Sequence, residues 1–303
     1  MSDRNPTVLR RMLALRQFPL FSGAELDELA TLADNVVEMT LPAGAVVAAA
    51  GAHLPSLHCV IDGRIESAHA TWGPRDVCGV LEVLARREPA VPAIAAVATR
   101  TLQLSGAELG EVLEDNFGVL LSVLRELAGR VLATAVRPSR HAPRLVSVGP
   151  LGLVERLIVL RRQVPFAKAR LQALATLAQA SEELALPAGA VLTHAGDPAT
   201  GAIVIIEGAL QGRLLDGAPI VHGAGDAVGL FETLAGSRYR ATIEATTPVR
   251  ALASSGAALL DVLEDHTDVG LAMLATFASS LLGAPASVPG ASGEAWAMQG
   301  AQT

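Results

Sequence analysis

Side chains able to do chemistry are few in this chain and seldom share a neighbourhood. Its 303 residues hold two cysteines and seven histidines. Cys59 and Cys78 sit in apolar, strand-like runs, and two thiols make neither a disulfide framework nor a zinc site. They read as buried free thiols. The histidines never pair at metal-ligand spacing on one element, and His58 inside a strand reads as an accommodated core or edge residue. His222–Gly229 (HGAGDAVG) has the glycine content of a dinucleotide loop, but its spacing is one residue off and no βαβ unit follows. Glu264-Asp265-His266 reads as a solvated charge cluster at a helix end. P-loop, nucleophile-elbow and zinc-protease motifs are absent from the sequence. No enzyme is expected.

The bulk properties exclude other classes. A net charge of −7 and a pI near 5.5 argue against a nucleic-acid footprint, which is normally basic. They leave room for a small anionic ligand held by a few local donors. Hydrophobic residues make up 51% and the mean hydropathy is +0.42. Yet apolar runs such as Ala202–Ile206 stop well short of the roughly 18–20 residues of a spanning helix. The amino-terminal segment shows no apolar core followed by a cleavage site. The expectation is a soluble, cytoplasmic protein without a membrane partner.

What organises the chain is an internal repeat. Glu28–Gly63 aligns without gaps to Ala173–Gly208 at an offset of 145 in numbering: Leu29 with Leu174, Pro42 with Pro187, Gly51 with Gly196, Gly63 with Gly208. The offset then becomes 150, so that Asp76–Gly79 matches Asp226–Gly229 and Val112-Leu113-Glu114-Asp115 recurs as Val262-Leu263-Glu264-Asp265. A match this long, with length changes only in loop-like places, means duplication.

Each copy reads physically in the same order. Gly23–Asp34 has the spacing of a short amphipathic helix. Pro-Ala-Gly turns (Pro42–Gly44, Pro187–Gly189) lead into Val46-Val47 or Val191-Leu192. After Gly51 or Gly196 a further strand, Leu57–Ile61 or Ile203–Ile206, ends at Asp62-Gly63 or Glu207-Gly208. Asp216-Gly217 marks another hairpin in the second copy. Short strands at regular spacing with glycine turns predict a small sandwich or barrel. Helical stripes then close each copy: Phe117, Leu120, Leu121, Leu124, Leu127, Ala128, Val131 and Leu132 in the first; Val269, Leu271–Ala272, Leu274–Ala275, Ala278 and Leu281–Leu282 in the second. These helices either cover the barrel or serve as a dimer seam or ligand lid. The expected domains are 8–135 and 153–283, with a Pro- and Arg-rich linker at 136–152 and a disordered tail at 284–303.

The order of these motifs resembles the cyclic-nucleotide-binding domain family. The first copy carries QFPLFSGAELDELATLA, LPAGAVVAAAG, VIDGRIES and GPRDVCGVLEVL. The second carries LPAGAVLTHAGDPATGAIVIIEGAL, HGAGDAVGLFETL and YRATIEATTPVRAL. The resemblance implies a mainly β fold with flanking helices: two tandem eight-stranded jelly-rolls, each with a cassette for cAMP or cGMP. In such a cassette, backbone N–H groups of a short helix and an arginine meet the cyclic phosphate, and a glutamate accepts from the ribose hydroxyl.

Both copies depart from the family pattern in the same way. In the first, Glu82 stands three places after Gly79 instead of one, and the arginine segment has become Pro89-Ala90-Val91-Pro92-Ala93. Arg86 and Arg87, just upstream, read as exposed loop charges. In the second, Glu232 is displaced likewise from Gly229, and counting back from Thr242 puts the family's arginine position on Tyr239, between Arg238 and Arg240. The ligand residues implied for the second copy are therefore Gly229, Leu230, Phe231, Glu232, Arg238, Arg240, Ala241 and Thr242.

The leading expectation is a non-enzymatic regulatory protein that senses cAMP or cGMP through its second domain, with no metal or obligatory cofactor. The competing one is a scaffold whose nucleotide pockets have lapsed, meeting a protein partner or a second copy through its closing helices. A helix-turn-helix, as in bacterial regulators of the family, is not expected in the roughly 20 residues after the last closing helix. Arg10-Arg11-Met12-Leu13-Ala14 reads as an amphipathic lead-in helix and not as a kinase-inhibitor segment.

Overall fold

The computed structural model describes residues 6–134, 149–167, 169–214, 217 and 219–283. Most of the expected linker and all of the expected tail at 284–303 lie outside the described residues, as does Asp216.

The first copy opens with helix α1 (Pro6–Leu15), a single 3-10 turn at Pro19–Phe21, and helix α2 (Leu26–Asn35). Helix α2 starts at Leu26 and not at Gly23 because a capping box closes it there: the Glu28 carboxylate reaches back to accept from the Glu25 N–H at 2.8 Å. Strands β1 (Val37–Leu41), β2 (Val46–Ala48), β3 (Ser56–Asp62), β4 (Ile65–Glu66), β5 (Thr71–Trp72) and β6 (Val77–Cys78) follow. Helix α3 (Val80–Ala85), strands β7 (Ala93–Ala95) and β8 (Thr99–Ser105), and helices α4 (Gly106–Asp115) and α5 (Phe117–Ala133) complete the copy.

The second copy repeats the order: α6 (Leu153–Arg161), a 3-10 turn at Val164–Phe166, α7 (Leu171–Ala180), then β9 (Glu182–Leu186), β10 (Val191–Thr193), β11 (Gly201–Glu207), β12 (Leu210–Leu214), β13 (Pro219–His222) and β14 (Ala227–Val228). After these come α8 (Leu230–Ala235), β15 (Ala241–Ala245), β16 (Val249–Ser255), α9 (Gly256–Asp265) and α10 (Thr267–Leu282).

The strands form two four-stranded antiparallel sheets per copy, in the orders β1-β8-β3-β6 and β2-β7-β4-β5 in the first, and β9-β16-β11-β14 and β10-β15-β12-β13 in the second. The topology is that of a jelly-roll, eight strands in each copy among the described residues. The α-helices hold more residues than the strands, so the flanking helices are a larger part of the fold than a mainly β label conveys. Duplication reaches the irregularities. The register of β3 on β8 shifts between Val60 and Asp62, and that of β11 on β16 shifts between Ile205 and Glu207, its counterparts at the 145 offset.

Polar contacts are duplicated as well. The Arg11 guanidinium donates to the Ala33 carbonyl at the end of α2, and Arg156, its counterpart, donates to the Ala178 and Ser181 carbonyls at the end of α7. Helix C-termini leave carbonyls without intrahelical partners, and a cation answers both the bonds and the dipole. Arg11 is thus part of the lead-in helix, as expected.

Each barrel interior is filled by alternating inward residues. In the second copy these include Ile203, Ile205, Leu210, Ile243 and Ala251; in the first, Ala48, Val60, Ile65 and Cys78, with Val83 of α3 and Trp72 packed against them. Cys59 and Cys78 are both buried free thiols, and His58 is buried with its Nδ1 3.2 Å from the Thr101 hydroxyl. The α10 stripe differs from the expected one. Val269, Met273, Leu274, Phe277 and Ala278 are buried, while Leu271, Ala272, Leu281 and Leu282 are half-buried. Small and apolar residues on several faces of α10 make its period ambiguous, and Met273 and Phe277 continue the four-residue step from Val269.

By its contacts the chain divides into two compact units: residues 124–277, and the remainder, described at 6–123 and 278–283. The contact units separate within α5 and α10, whereas the expected domain limits follow the sequence repeat.

Candidate functional site

The second copy's cassette runs from β14 through α8 to β15. Gly229 opens it in the left-handed region at φ 83°, and a Cβ there would lie 2.6 Å from the Gly201 carbonyl oxygen. Only glycine meets both demands without strain. The Gly201 carbonyl oxygen also accepts from the Thr233 hydroxyl at 2.8 Å and from the Tyr239 hydroxyl at 3.2 Å. The helix and the loop that follows it are thus both pinned to the start of β11.

Helix α8 itself is short, and its faces diverge. Leu230 and Leu234 are buried, and Leu230 lines a small apolar pocket with Leu160, Phe166, Leu177 and Leu259, on the side of the sheet covered by helices. A ligand in the barrel mouth would therefore meet the Leu230 backbone and not its side chain. Phe231 lies on another face, half-buried, with its ring centroid 5.1 Å from that of Phe277 in α10 and the planes tilted by 52°. Glu232 is half-buried, and its carbonyl accepts from the Ser237 N–H at 2.9 Å, closing the turn after the helix.

The loop after α8 is stitched to the turn at Gly196. The Gly196 N–H donates to the Tyr239 carbonyl at 2.8 Å and the Tyr239 N–H to the Asp197 carbonyl at 2.9 Å. Arg238 is exposed and its Nη1 donates to the Gly196 carbonyl at 2.7 Å. Arg240 is half-buried, its Nη1 donates to the Leu132 carbonyl at the end of α5, and its buried Nε finds no acceptor among the described residues. The two arginines flanking Tyr239 are therefore committed to different backbone carbonyls. On β15, Ala241, Ile243 and Ala245 are buried while Thr242 and Glu244 are exposed. The Thr242 hydroxyl accepts from the Ala195 N–H at 3.0 Å. Sequence reasoning placed the family's arginine position on Tyr239; the structure adds that its phenol is spent on Gly201.

Residues 183–266, covering this cassette and most of its barrel, match the model of the family described as Cyclic nucleotide-binding domain. The second copy carries a cyclic nucleotide-binding domain. Among solved structures it is similar to the N-terminal domain of a transcriptional regulator from Streptomyces coelicolor A3(2), at 30% identity, covering 41% of this chain and 93% of that one, with a TM-score of 0.38. It is similar along most of its length to the regulatory domain of Toxoplasma gondii PKA, solved with cAMP, at 15% identity over 92% and 98% of the two chains and a TM-score of 0.36. The regulatory subunit of a cAMP-independent protein kinase A from Trypanosoma brucei is similar at 15% identity over 89% and 92%, again with a TM-score of 0.36. No curated protein sequence matches the chain.

The first copy, outside the matched residues, is built differently at the same place. Gly79 repeats the left-handed opening at φ 85°, and α3 repeats the short helix. Pro89 and Pro92 then replace Tyr239 and Thr242 at the 150 offset. A proline has no N–H for the ladder, and β7 begins only at Ala93, three residues long against five for β15. Arg86 and Arg87 are exposed, as expected. Trp72, where the second copy has His222, packs its indole against the barrel core.

Among the described residues no three His, Cys, Asp or Glu side chains come together as a metal site. No helix among them is long and apolar enough to cross a membrane.

Proposed function

We propose that the chain is a non-enzymatic, cytoplasmic regulatory protein that senses a cyclic nucleotide, cAMP or cGMP, in its second domain. The observation that carries this reading is the Phe231–Phe277 contact. It joins the helix at the mouth of the cassette directly to the closing helix α10, so a ligand that moves α8 must alter the packing of α10. Such a contact gives a bound ligand a way to bias a closing element. Arg240 is the phosphate partner in this reading, since its Nε retains a donor that a phosphate oxygen can take. Glu232 accepts from a ribose hydroxyl, and the backbone at Gly229–Phe231 and at Ala241-Thr242 completes the ligand contacts. The first domain is structural, with Trp72 packed against its barrel core where the second has His222.

Calorimetric titration with cAMP and with cGMP at protein concentrations near 100 µM tests the proposal across affinities of interest. Micromolar binding that is lost in Arg240→Ala supports it. Absence of heat with both nucleotides overturns it.

One observation favours a second reading. Tyr239 stands in the family's arginine position and spends its hydroxyl on the Gly201 carbonyl. If neither nucleotide binds, the tandem is a scaffold with lapsed pockets, meeting a protein partner or a second copy through its closing helices. Light scattering and co-purification then become the informative measurements.

A further inference from the structure

Helix α5 ends with carbonyls that its own backbone cannot satisfy. The Thr134 N–H donates to the Arg130 and Val131 carbonyls at 3.2 Å each. The next carbonyl, that of Leu132, is taken by Arg240 from 108 residues away. Both residues belong to the 124–277 unit, so this end of α5 is part of the same compact body as the second cassette. Closing a helix C-terminus with a guanidinium is favourable because it answers an orphan acceptor and the negative end of the dipole together.

The bond leaves Arg240 under-used. A guanidinium carries five donors in a fork suited to paired oxygens, and here the buried Nε finds no acceptor among the described residues. A carbonyl offers a single neutral oxygen; a phosphate offers charge and two oxygens in the geometry of the fork. The two acceptors compete for one side chain.

We infer that Arg240 is an exchangeable latch. Its bond to the Leu132 carbonyl fastens the last turn of α5, and an anionic phosphate ligand in the second domain draws it away and frees that turn. The inference rests on the sensor reading above for its ligand, but not for the fastening itself. The first copy has Ala90 at the equivalent position, so the latch belongs to the second cassette alone. Linkage makes it reciprocal: whatever loosens the end of α5 strengthens ligand binding by the same factor.

Hydrogen exchange on the full chain, followed in peptides spanning residues 127–134, separates the two parts. Without ligand, Arg240→Ala and Arg240→Gln are expected to exchange roughly fivefold faster there than the parent, the size of one charge-assisted bond at a helix end. Unchanged exchange in both variants, with native circular dichroism, overturns the latch whatever the ligand results. Addition of cAMP, or of inorganic phosphate as the shared chemistry, is expected to speed exchange in the parent and leave Arg240→Ala unaffected. If calorimetry shows binding and the α5 peptides do not respond, the exchange is overturned while the sensor reading stands. If the variants exchange faster but calorimetry shows no binding, the sensor reading falls, and the ligand-driven release falls with it.

Discussion

The ring of Phe231, in the cassette helix, rests against the fully buried ring of Phe277, in the last helix, at 5.1 Å and 52°. Tilted aromatic pairs of this kind contribute about 0.5–1.5 kcal/mol beyond the area they bury. Phe277→Ala is expected to destabilise the protein by about 3–5 kcal/mol, since it empties a fully enclosed site. Phe231→Ala, at a half-buried position, should cost less. A double-mutant cycle in urea checks the coupling: a term of about 0.5–1.5 kcal/mol is expected, and strict additivity would show that α8 and α10 do not communicate through these rings.

Gly229→Ala is expected to destabilise by about 1–3 kcal/mol, because alanine is strained at φ 83° and its Cβ would press on the Gly201 carbonyl oxygen. Gly223→Ala, where a Cβ meets nothing within 4 Å and φ is not in the left-handed range, is the control and should be close to neutral. Thermal melts of the pair check this; equal shifts would contradict it.

Burial holds the His58 imidazole below its usual pKa of 6.5. The unfolded chain therefore takes up this proton first as the pH drops. The sign follows: this part of the stability is complete above about pH 6.5 and is lost as pH falls toward the folded value. The urea midpoint should drop more steeply between about pH 7 and pH 5 in the parent than in His58→Gln. Parallel curves for the two proteins would refute the assignment.

The thiols should be silent in the native state. Burial pushes the Cys59 thiol up, and burial with the nearby Glu82 carboxylate pushes the Cys78 thiol up to about 12. Since the thiolate is the reactive form, a colorimetric thiol reagent at neutral pH is expected to find neither cysteine until denaturant is added, and then both. Rapid native labelling of either would show that its strand opens.

Much of the fold was legible because it is written locally and written twice. Gly63 and Gly208 end matching strands at φ 92° and 91°, and an offset between two copies marks such turns without knowledge of any contact. The stripe of α5 could be read in part: Leu120, Leu124, Leu127, Ala128 and Val131 are buried as expected, whereas Phe117, Leu121 and Leu132 are half-buried and Val119, Ser122 and Val123 join the buried face. That of α10 could not, because alanines fit several faces and only packing selects Phe277. The cassette was legible in outline: Gly229, the short helix and the missing arginine of the first copy all follow from residue order. The destinations of Arg238 and Arg240 were not, since a long cation near a turn can reach many acceptors.

The sequence by itself determined that this protein is a duplicated, glycine-punctuated β module with unequal cassettes. These are properties of neighbouring residues and of one copy set beside the other. It took the folded chain to pack Trp72 against the first barrel core, to tie Tyr239 to Gly201, and to end Arg240 on Leu132, 108 residues away. Turns and strands are chosen by backbone sterics within a few bonds of each residue. The partner of a buried cation is chosen by whichever unsatisfied carbonyl the folded chain brings within reach.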